Sequence, residues 1–220
     1  MNGSTTTTAR VYDSGTTRPP FAAIVLGHGA GAGQDSAFLV EFARALAALG
    51  VDVVTFNFPY TEARRRIPDR QPVLEACYHA VVTAIHAQLD SAARHLFIGG
   101  KSMGGRIATH IAAADPALPI GGIALLGYPL HPPGKPEQRR DKHLPAIKRP
   151  MLIVQGSRDA FGTPPEFESV LRAVPSATLH VVNGGDHSFK ISKRDPVAQA
   201  AVYGDVQKRI VQWMRGVIRT

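Results

Sequence analysis

A chain of 220 residues with 44% hydrophobic and 19% charged side chains has the composition of an ordinary globular domain and enough length for one sizeable core. No apolar run approaches the ~20 residues needed to cross a bilayer, and the polar, Thr-rich first ten residues contain no hydrophobic leader. Cys77 is the only cysteine, which excludes an internal disulfide and fits a reducing, cytoplasmic setting. The net charge of +8 comes from scattered basic residues, with clusters at Arg64-Arg65-Arg66 and across 135–150. Neither cluster is interleaved with aromatic residues, so nucleic acid is not an expected partner.

Residues 1–15 read as a flexible tail or a short early strand, with Arg10-Val11-Tyr12 as the strand, and 16–220 as a single domain. Thr16 to Pro20 reads as a turn. Phe21 to Leu26 is a continuous apolar run suited to a strand buried on both faces, and it enters the glycine loop Gly27 to Gly33. A helix capped at Asp35 or Ser36 follows to about Leu49, on the spacing of Phe38, Leu39, Phe42, Leu46 and Leu49, with Gly50 as its stop. Val51 to Phe58 is the next strand and Pro59 to Arg70 a polar, Arg-rich loop. Pro72 then opens a helix whose apolar face is Leu74, Cys77, Val81, Ile85 and Leu89. His95 to Ile98 is a strand and Ser102 to Ala114 an Ala-rich helix. Gly121 to Leu126 is another strand, and Tyr128 to Ala146 is a Pro-rich, charged connection without a clear period. Met151 to Gln155 and Ala177 to Val182 are strands with a short helix, Pro165 to Arg172, between them. Pro196 opens the last helix, carrying Val202, Val206, Ile210, Trp213 and Val217. Alternating apolar runs and amphipathic segments mean βα units, helices on both faces of a mainly parallel sheet, and no insertion large enough for a separate cap domain.

In such a sheet, sites form beyond the carboxyl ends of the strands. Gly100-Lys101-Ser102-Met103-Gly104 stands at one of those ends and reads as G-x-S-x-G, a sharp strand-to-helix turn with a strained serine at its tip. Its glycines let neighbouring backbone approach without a Cβ clash. After Met151–Gln155 comes Gly156-Ser157-Arg158-Asp159, and after Ala177–Val182 comes Asn183-Gly184-Gly185-Asp186-His187. The order Ser102, Asp159, His187 is that of a hydrolytic triad on this architecture. Ser102 would be the nucleophile, His187 the general base and acid, and Asp159 the group that orients the imidazole. Asp186 is the rival acid, but consecutive side chains diverge and Asp186 is expected to shape its own turn.

The backbone N–H groups of Met103 and Ala30 are the expected oxyanion donors, with Gly31 the second choice in the glycine loop. A dinucleotide reading of Gly27-x-Gly29-x-x-Ala32 needs an acid at the end of the next strand, where this chain has Asn57-Phe58. A phosphate-loop reading of Gly100-Lys101-Ser102 needs a glycine where His95 stands. Lys101 is expected to project outward. His28 is expected to brace the glycine loop. Tyr60, Tyr128 and His131 follow strand ends and are candidate pocket residues. Arg139, Arg140, Lys142 and His143 could guide an anion, against the plainer reading of a solvated loop. His79, His86, His95, His110 and His180 fall on helices or strands and read as structural. No metal-binding pattern is present, so neither a metal nor another cofactor is expected.

These motifs resemble the α/β hydrolases of the dienelactone-hydrolase-like group, in particular small hydrolases related to animal KAN-type and testis-expressed hydrolase-like proteins. The resemblance spans about 21–215 and rests on Leu26-Gly27-His28-Gly29-Ala30 and Gly99 to Arg106. It continues through Gly127-Tyr128-Pro129-Leu130-His131-Pro132, Gly156 to Asp159 and Asp186-His187-Ser188. It implies a three-layer α/β/α hydrolase fold and the Ser102/Asp159/His187 triad. The expected activity is that of a serine esterase on small or short-chain acyl esters, with a small-molecule acyl substrate. Thioester or peptide hydrolysis by the same triad is the nearest alternative. Dienelactone hydrolases proper carry a cysteine where this chain has Ser102, which argues against lactone specificity. The group also has chromatin-associated relatives that act as scaffolds, so a non-catalytic interaction protein is the alternative from another class.

Overall fold

The computed structural model describes residues 6–15, 19–191 and 196–219. Much of the expected tail and most of the turn at 16–20 lie outside these residues. The elements are β1 (Ala9–Tyr12), β2 (Ala22–Gly27), α1 (Ala37–Ala48), β3 (Val51–Phe56), α2 (Pro59–Glu62), α3 (Gln71–Gln88), α4 (Asp90–Arg94), β4 (Leu96–Lys101) and α5 (Met103–Ala114). The chain continues as β5 (Gly122–Leu126), β6 (Met151–Gly156), α6 (Glu168–Ala173), β7 (Ala177–Val182) and α7 (Pro196–Arg219). Two 3₁₀ turns, Leu144–Ala146 and Pro164–Phe167, sit in the connections.

The strands form one sheet in the order β1-β3-β2-β4-β5-β6-β7. Every pairing is parallel except β1 with β3, which is antiparallel and closes one edge. Period-two alternation divides the core. Ile24, Leu26, Val53, Phe97, Leu126 and Val154 face Phe42 and Leu46 of α1 and Ile210 and Met214 of α7. Ala23, Val25, Val54, Ile98, Leu125 and Ile153 face Leu74, Tyr78 and Val82 of α3 and Ile107 of α5. Both faces are therefore covered, which is why the strands read as unbroken apolar runs. The result is the expected three-layer α/β/α architecture in a single compact domain.

Three local differences from the sequence reading have physical causes. β4 continues past Ile98 to Lys101, because Gly99 and Gly100 keep their places in the ladder beside Leu26, Gly27, Ala124 and Leu125. α2 and α4 stand in segments that lack a readable period, since each is shorter than two helical turns. α2 starts with Pro59 at its first position, where the missing N–H costs nothing.

Candidate active site

Four strand ends meet at one place. β2 leads into the Gly29-Ala30 loop, β4 into Ser102, β6 into Asp159 and β7 into His187. Ser102 has φ 52° and ψ −113°, a conformation outside the allowed regions for a side-chain-bearing residue. Its N–H donates to Leu126 O at 3.0 Å, and its C=O accepts from Arg106 N at 3.0 Å, opening α5. The neighbouring backbone is too close for any side chain: a Cβ on Gly100 would lie 2.2 Å from Gly27 O, and one on Gly104 would lie 2.2 Å from the same atom. Held between β2 and β5, the serine protrudes at the mouth of the sheet. The first amides of α5 have no intrahelical acceptor, and Met103 N–H is among them.

Asp159 is 1% exposed. Its Oδ2 accepts from His187 Nδ1 at 2.8 Å and from Gln155 Nε2 at 2.8 Å, and its Oδ1 accepts from Phe161 N at 2.9 Å. His187 also packs on Phe161, with ring centroids 4.3 Å apart. Asp186 does what its position suggested: its Oδ1 accepts from Ser188 N at 2.8 Å and Lys190 N at 3.0 Å, fixing its own turn. A cavity of about 570 Å³ opens over these groups and is lined by Ser102, Met103, His187, Ala30 and Gly29, among others. Among the described residues no hydrogen bond joins Ser102 Oγ to His187. Two side chains with one acceptor-bearing imidazole and one hydroxyl thus share a cavity with a helix start, an arrangement suited to acyl transfer.

A family model described as an alpha/beta hydrolase domain matches residues 20–215. The chain belongs to that alpha/beta hydrolase domain family. Solved structures agree on the fold. Dienelactone hydrolase from Anabaena variabilis is 18% identical with a TM-score of 0.72, over 96% of this chain and 93% of that one. Est1E from Butyrivibrio proteoclasticus with bound ferulic acid is 14% identical, TM-score 0.70, over 93% and 96%. A serine hydrolase without a lid from Xanthomonas campestris is 20% identical, TM-score 0.70, over 94% and 89%.

Other residues of this hydrolase domain sit differently from their sequence reading. Lys101 does not project outward. It is 8% exposed, its Nζ donates to His187 O at 2.6 Å, and it lies 5.8 Å from the centre of the Phe38 ring. As the last residue of a strand covered on both faces, it is largely enclosed and meets solvent only at the cavity wall. Burial lowers its pKa to about 8, against the opposing pull of Asp159 and Asp186. Gly31, Tyr60, Tyr128 and His131 are not among the cavity walls. Tyr60 is buried beside His28, with ring centroids 5.8 Å apart. Tyr128 is buried and donates its hydroxyl to Arg140 O at 2.7 Å. His131 is tied through Nδ1 to Pro132 O at 2.8 Å and through Nε2 to Glu166 Oε1 at 2.9 Å. All three follow strand ends, but they brace loops against each other instead of facing the cavity. Gly31, at φ 71°, turns the loop beyond Ala30.

His28 braces the glycine loop as expected: Nδ1 bonds Gly29 O at 2.8 Å and Nε2 accepts from Phe58 N at 3.1 Å. Burial holds its pKa below the usual histidine value. Of the basic group in the connection, only Arg140 lines the cavity. Arg139 is tied to Asp141 and Ser169, and His143 stacks on His110 with centroids 3.8 Å apart.

The roles of four residues escaped the sequence reading. Gln155 is fully buried and clasps Asp159 while accepting from Tyr128 N at 2.9 Å. A glutamine closing an apolar strand is the signal that could have found it. Gly127, at φ 65°, leaves room for the His187 loop: a Cβ there would lie 2.7 Å from His187 O. Lys101 and Arg106 both flank Ser102 in sequence and both line the cavity. Among the described residues no group of three or more His, Cys, Asp or Glu is placed to hold a metal, and no helix is long and apolar enough to cross a membrane.

Proposed function

We propose that this protein is a serine hydrolase cleaving small or short-chain acyl esters, with Ser102, His187 and Asp159 as its triad. The observation that carries the reading is the 2.8 Å bond from His187 Nδ1 to the buried Asp159 carboxylate, on the same cavity as the strained Ser102. With Nδ1–H donated to Asp159, Nε2 is left as the base. Ser102 Oγ attacks the ester carbonyl carbon while its proton passes to His187 Nε2. The N–H groups of Met103 and Ala30 hold the oxygen that becomes negative. The C–O bond to the alcohol then breaks, and His187 returns the proton to the departing oxygen. Water, deprotonated by His187, attacks the acyl-enzyme, and the acid leaves as Ser102 regains its proton.

The cavity is an open one at the sheet's end without a covering domain, which favours compact acyl groups. Thioesters and amides are variants of the same chemistry. The motif Gly127 to Pro132 supports a place beside the KAN-type and testis-expressed hydrolase-like proteins within the family. The lone Cys77, free in the fold, supports a cytoplasmic setting for one domain spanning 16–220.

The test is turnover of 4-nitrophenyl esters of increasing acyl length together with labelling by a fluorophosphonate. The native protein is expected to hydrolyse the short esters and to be labelled at Ser102. Ser102→Ala is expected to lose labelling and at least ~10³-fold in kcat. A native protein that is neither labelled nor active on any ester would leave the interaction-protein alternative in place.

Lys101 gives a second expectation. Its ammonium ties the nucleophile strand to the His187 backbone, so Lys101→Met should let that loop drift. A displacement of about 1 Å is worth up to ~10²-fold in rate, whereas swapping a buried charge for an apolar side chain of similar size is often neutral or stabilising. The expected result is a lowered kcat with an unchanged or raised melting temperature. A melting temperature that falls in step with the rate would make Lys101 a support of the fold alone.

A further inference from the structure

We propose that Arg106 and Arg140 form an anion subsite beside Ser102, and that the ester taken by this site carries a carboxylate. The proposal rests on the hydrolase reading above and narrows its substrate class.

Both arginines line the cavity that holds Ser102 and His187. Arg106 is one helical turn along α5 from the serine, its N–H bonded to Ser102 O at 3.0 Å. Arg140 comes from the Pro-rich connection, where its backbone is pinned on both sides: Arg140 N donates to Leu130 O at 2.8 Å and Arg140 O accepts from the Tyr128 hydroxyl at 2.7 Å. Each guanidinium carries five N–H donors. Among the described residues neither guanidinium has a hydrogen-bond or ion-pair partner, although both side chains are half-buried. Their neighbour Arg139 is different, being bound to Asp141 and to Ser169 Oγ at 3.0 Å.

The acids nearest to them have their own contacts elsewhere. Glu75 accepts from Gln71 Nε2 at 2.7 Å and lies 3.7 Å from His110 Nδ1. Asp69, the carboxylate on the cavity wall, is paired through Oδ1 with Arg65 at 2.6 Å, while its Oδ2 is buried without a hydrogen-bond partner among the described residues. Two like charges therefore face one cavity with no carboxylate in hydrogen-bond or ion-pair contact with them among the described residues, Glu75 acting on Arg106 only from a distance. Burial, and next the neighbouring charge of Arg140, hold the Arg106 pKa below its usual value against the opposing pull of Tyr128 and Glu75, so an anion bound here would relieve the mutual repulsion of the two arginines. A carboxylate meets this need best, because its two oxygens match the planar fork of a guanidinium. The walls contributed by Phe38, Leu74, Met103 and Phe161 suit a short apolar body between the anion and the scissile bond. The acyl-transfer steps themselves need neither arginine.

The experiment compares matched esters with and without a carboxylate. On the acyl side the pair is 4-nitrophenyl hexanoate and the 4-nitrophenyl monoester of hexanedioic acid. On the alcohol side it is phenyl acetate and 4-acetoxybenzoate. In at least one pair the carboxylate-bearing ester is expected to have the higher kcat/KM, by roughly tenfold or more, mainly through KM. That preference is expected to shrink as salt is raised. Arg106→Gln and Arg140→Gln are each expected to abolish most of the preference, and Arg106→Lys to restore part of it. Turnover without preference in either pair, or a preference unchanged in both Gln variants, overturns the subsite and leaves the esterase reading standing. If none of the four esters is turned over, titration of hexanedioate into the native protein decides the subsite separately. Binding that is lost in Arg106→Gln and Arg140→Gln sustains it, and absence of binding, or binding unchanged in both, overturns it.

Discussion

Asp159→Asn is expected to lower kcat on a short ester by roughly 10³- to 10⁴-fold with little change in KM, measured by steady-state turnover of the purified variant. The reason lies in who donates to the carboxylate. Asp159 Oδ2 accepts from His187 Nδ1 and Gln155 Nε2, and Oδ1 accepts from Phe161 N. Every partner is a donor, so an amide nitrogen has no acceptable place. In the Oδ2 position it faces His187 and favours the tautomer with the proton on Nε2, which then cannot take the proton of Ser102. In the Oδ1 position it faces the Phe161 N–H, and a buried donor is left unsatisfied at a cost of about 1–3 kcal/mol. Asp186→Asn is the control. Its Oδ1 accepts from Ser188 N and Lys190 N, and an asparagine oxygen keeps both bonds. Turnover is expected to stay within a few-fold there. Should the two variants behave in the opposite way, Asp186 would be the residue that orients the imidazole.

The contrast shows why part of this site is legible in the amino-acid sequence. Ser102, Asp159 and His187 each follow an apolar run that becomes a parallel strand, and a parallel sheet aligns its carboxyl ends. Position along the strand therefore carries the information, and hydrophobic runs report it well. Side-chain direction is another matter. Tyr60, Tyr128 and His131 also follow strand ends, but their orientation is set by long-range partners such as Arg140 O and Glu166. Lys101 looks like a surface residue by type, and only its place at the end of a strand covered on both faces brings it inside. Arg106 lies on a helix whose small residues suggest tight packing all round, yet the first turn of that helix opens onto the cavity. The extension of β4 through Gly99 and Gly100 escapes propensity because glycine weakens strands in general. Here the strand cannot use anything else: a Cβ on Gly99 would lie 1.9 Å from Ala124 O.

The same crowding gives Gly104→Ala a large expected loss of stability. Local propensity argues the other way, since alanine is favoured over glycine in a helix by about 1 kcal/mol. Sterics decide. A Cβ at Gly104 would lie 2.2 Å from Gly27 O, 2.3 Å from Gly27 C and 2.8 Å from Gly27 Cα. All are backbone atoms, so no side chain can swing aside. Nor can β2 retreat. Gly27 is paired with Phe56 on one side and Gly100 on the other, and Tyr78 closes in behind it, 2.9 Å from where a Gly27 Cβ would be. The Tyr78 hydroxyl is in turn within 2.9 Å of Val25 O and 2.6 Å of Gly99 O. The helix would have to lift off the sheet, and Ser102 with it. Chemical denaturation is expected to show a loss of more than roughly 3 kcal/mol, or no folded protein at all. Gly216→Ala isolates the propensity term, because Gly216 lies in α7 with nothing within 4 Å of its would-be Cβ. That variant is expected to gain up to about 1 kcal/mol. A Gly104→Ala protein as stable as wild type would mean that α5 does not press on β2 at this point, and the strained serine would lose the contact that holds it at the cavity mouth.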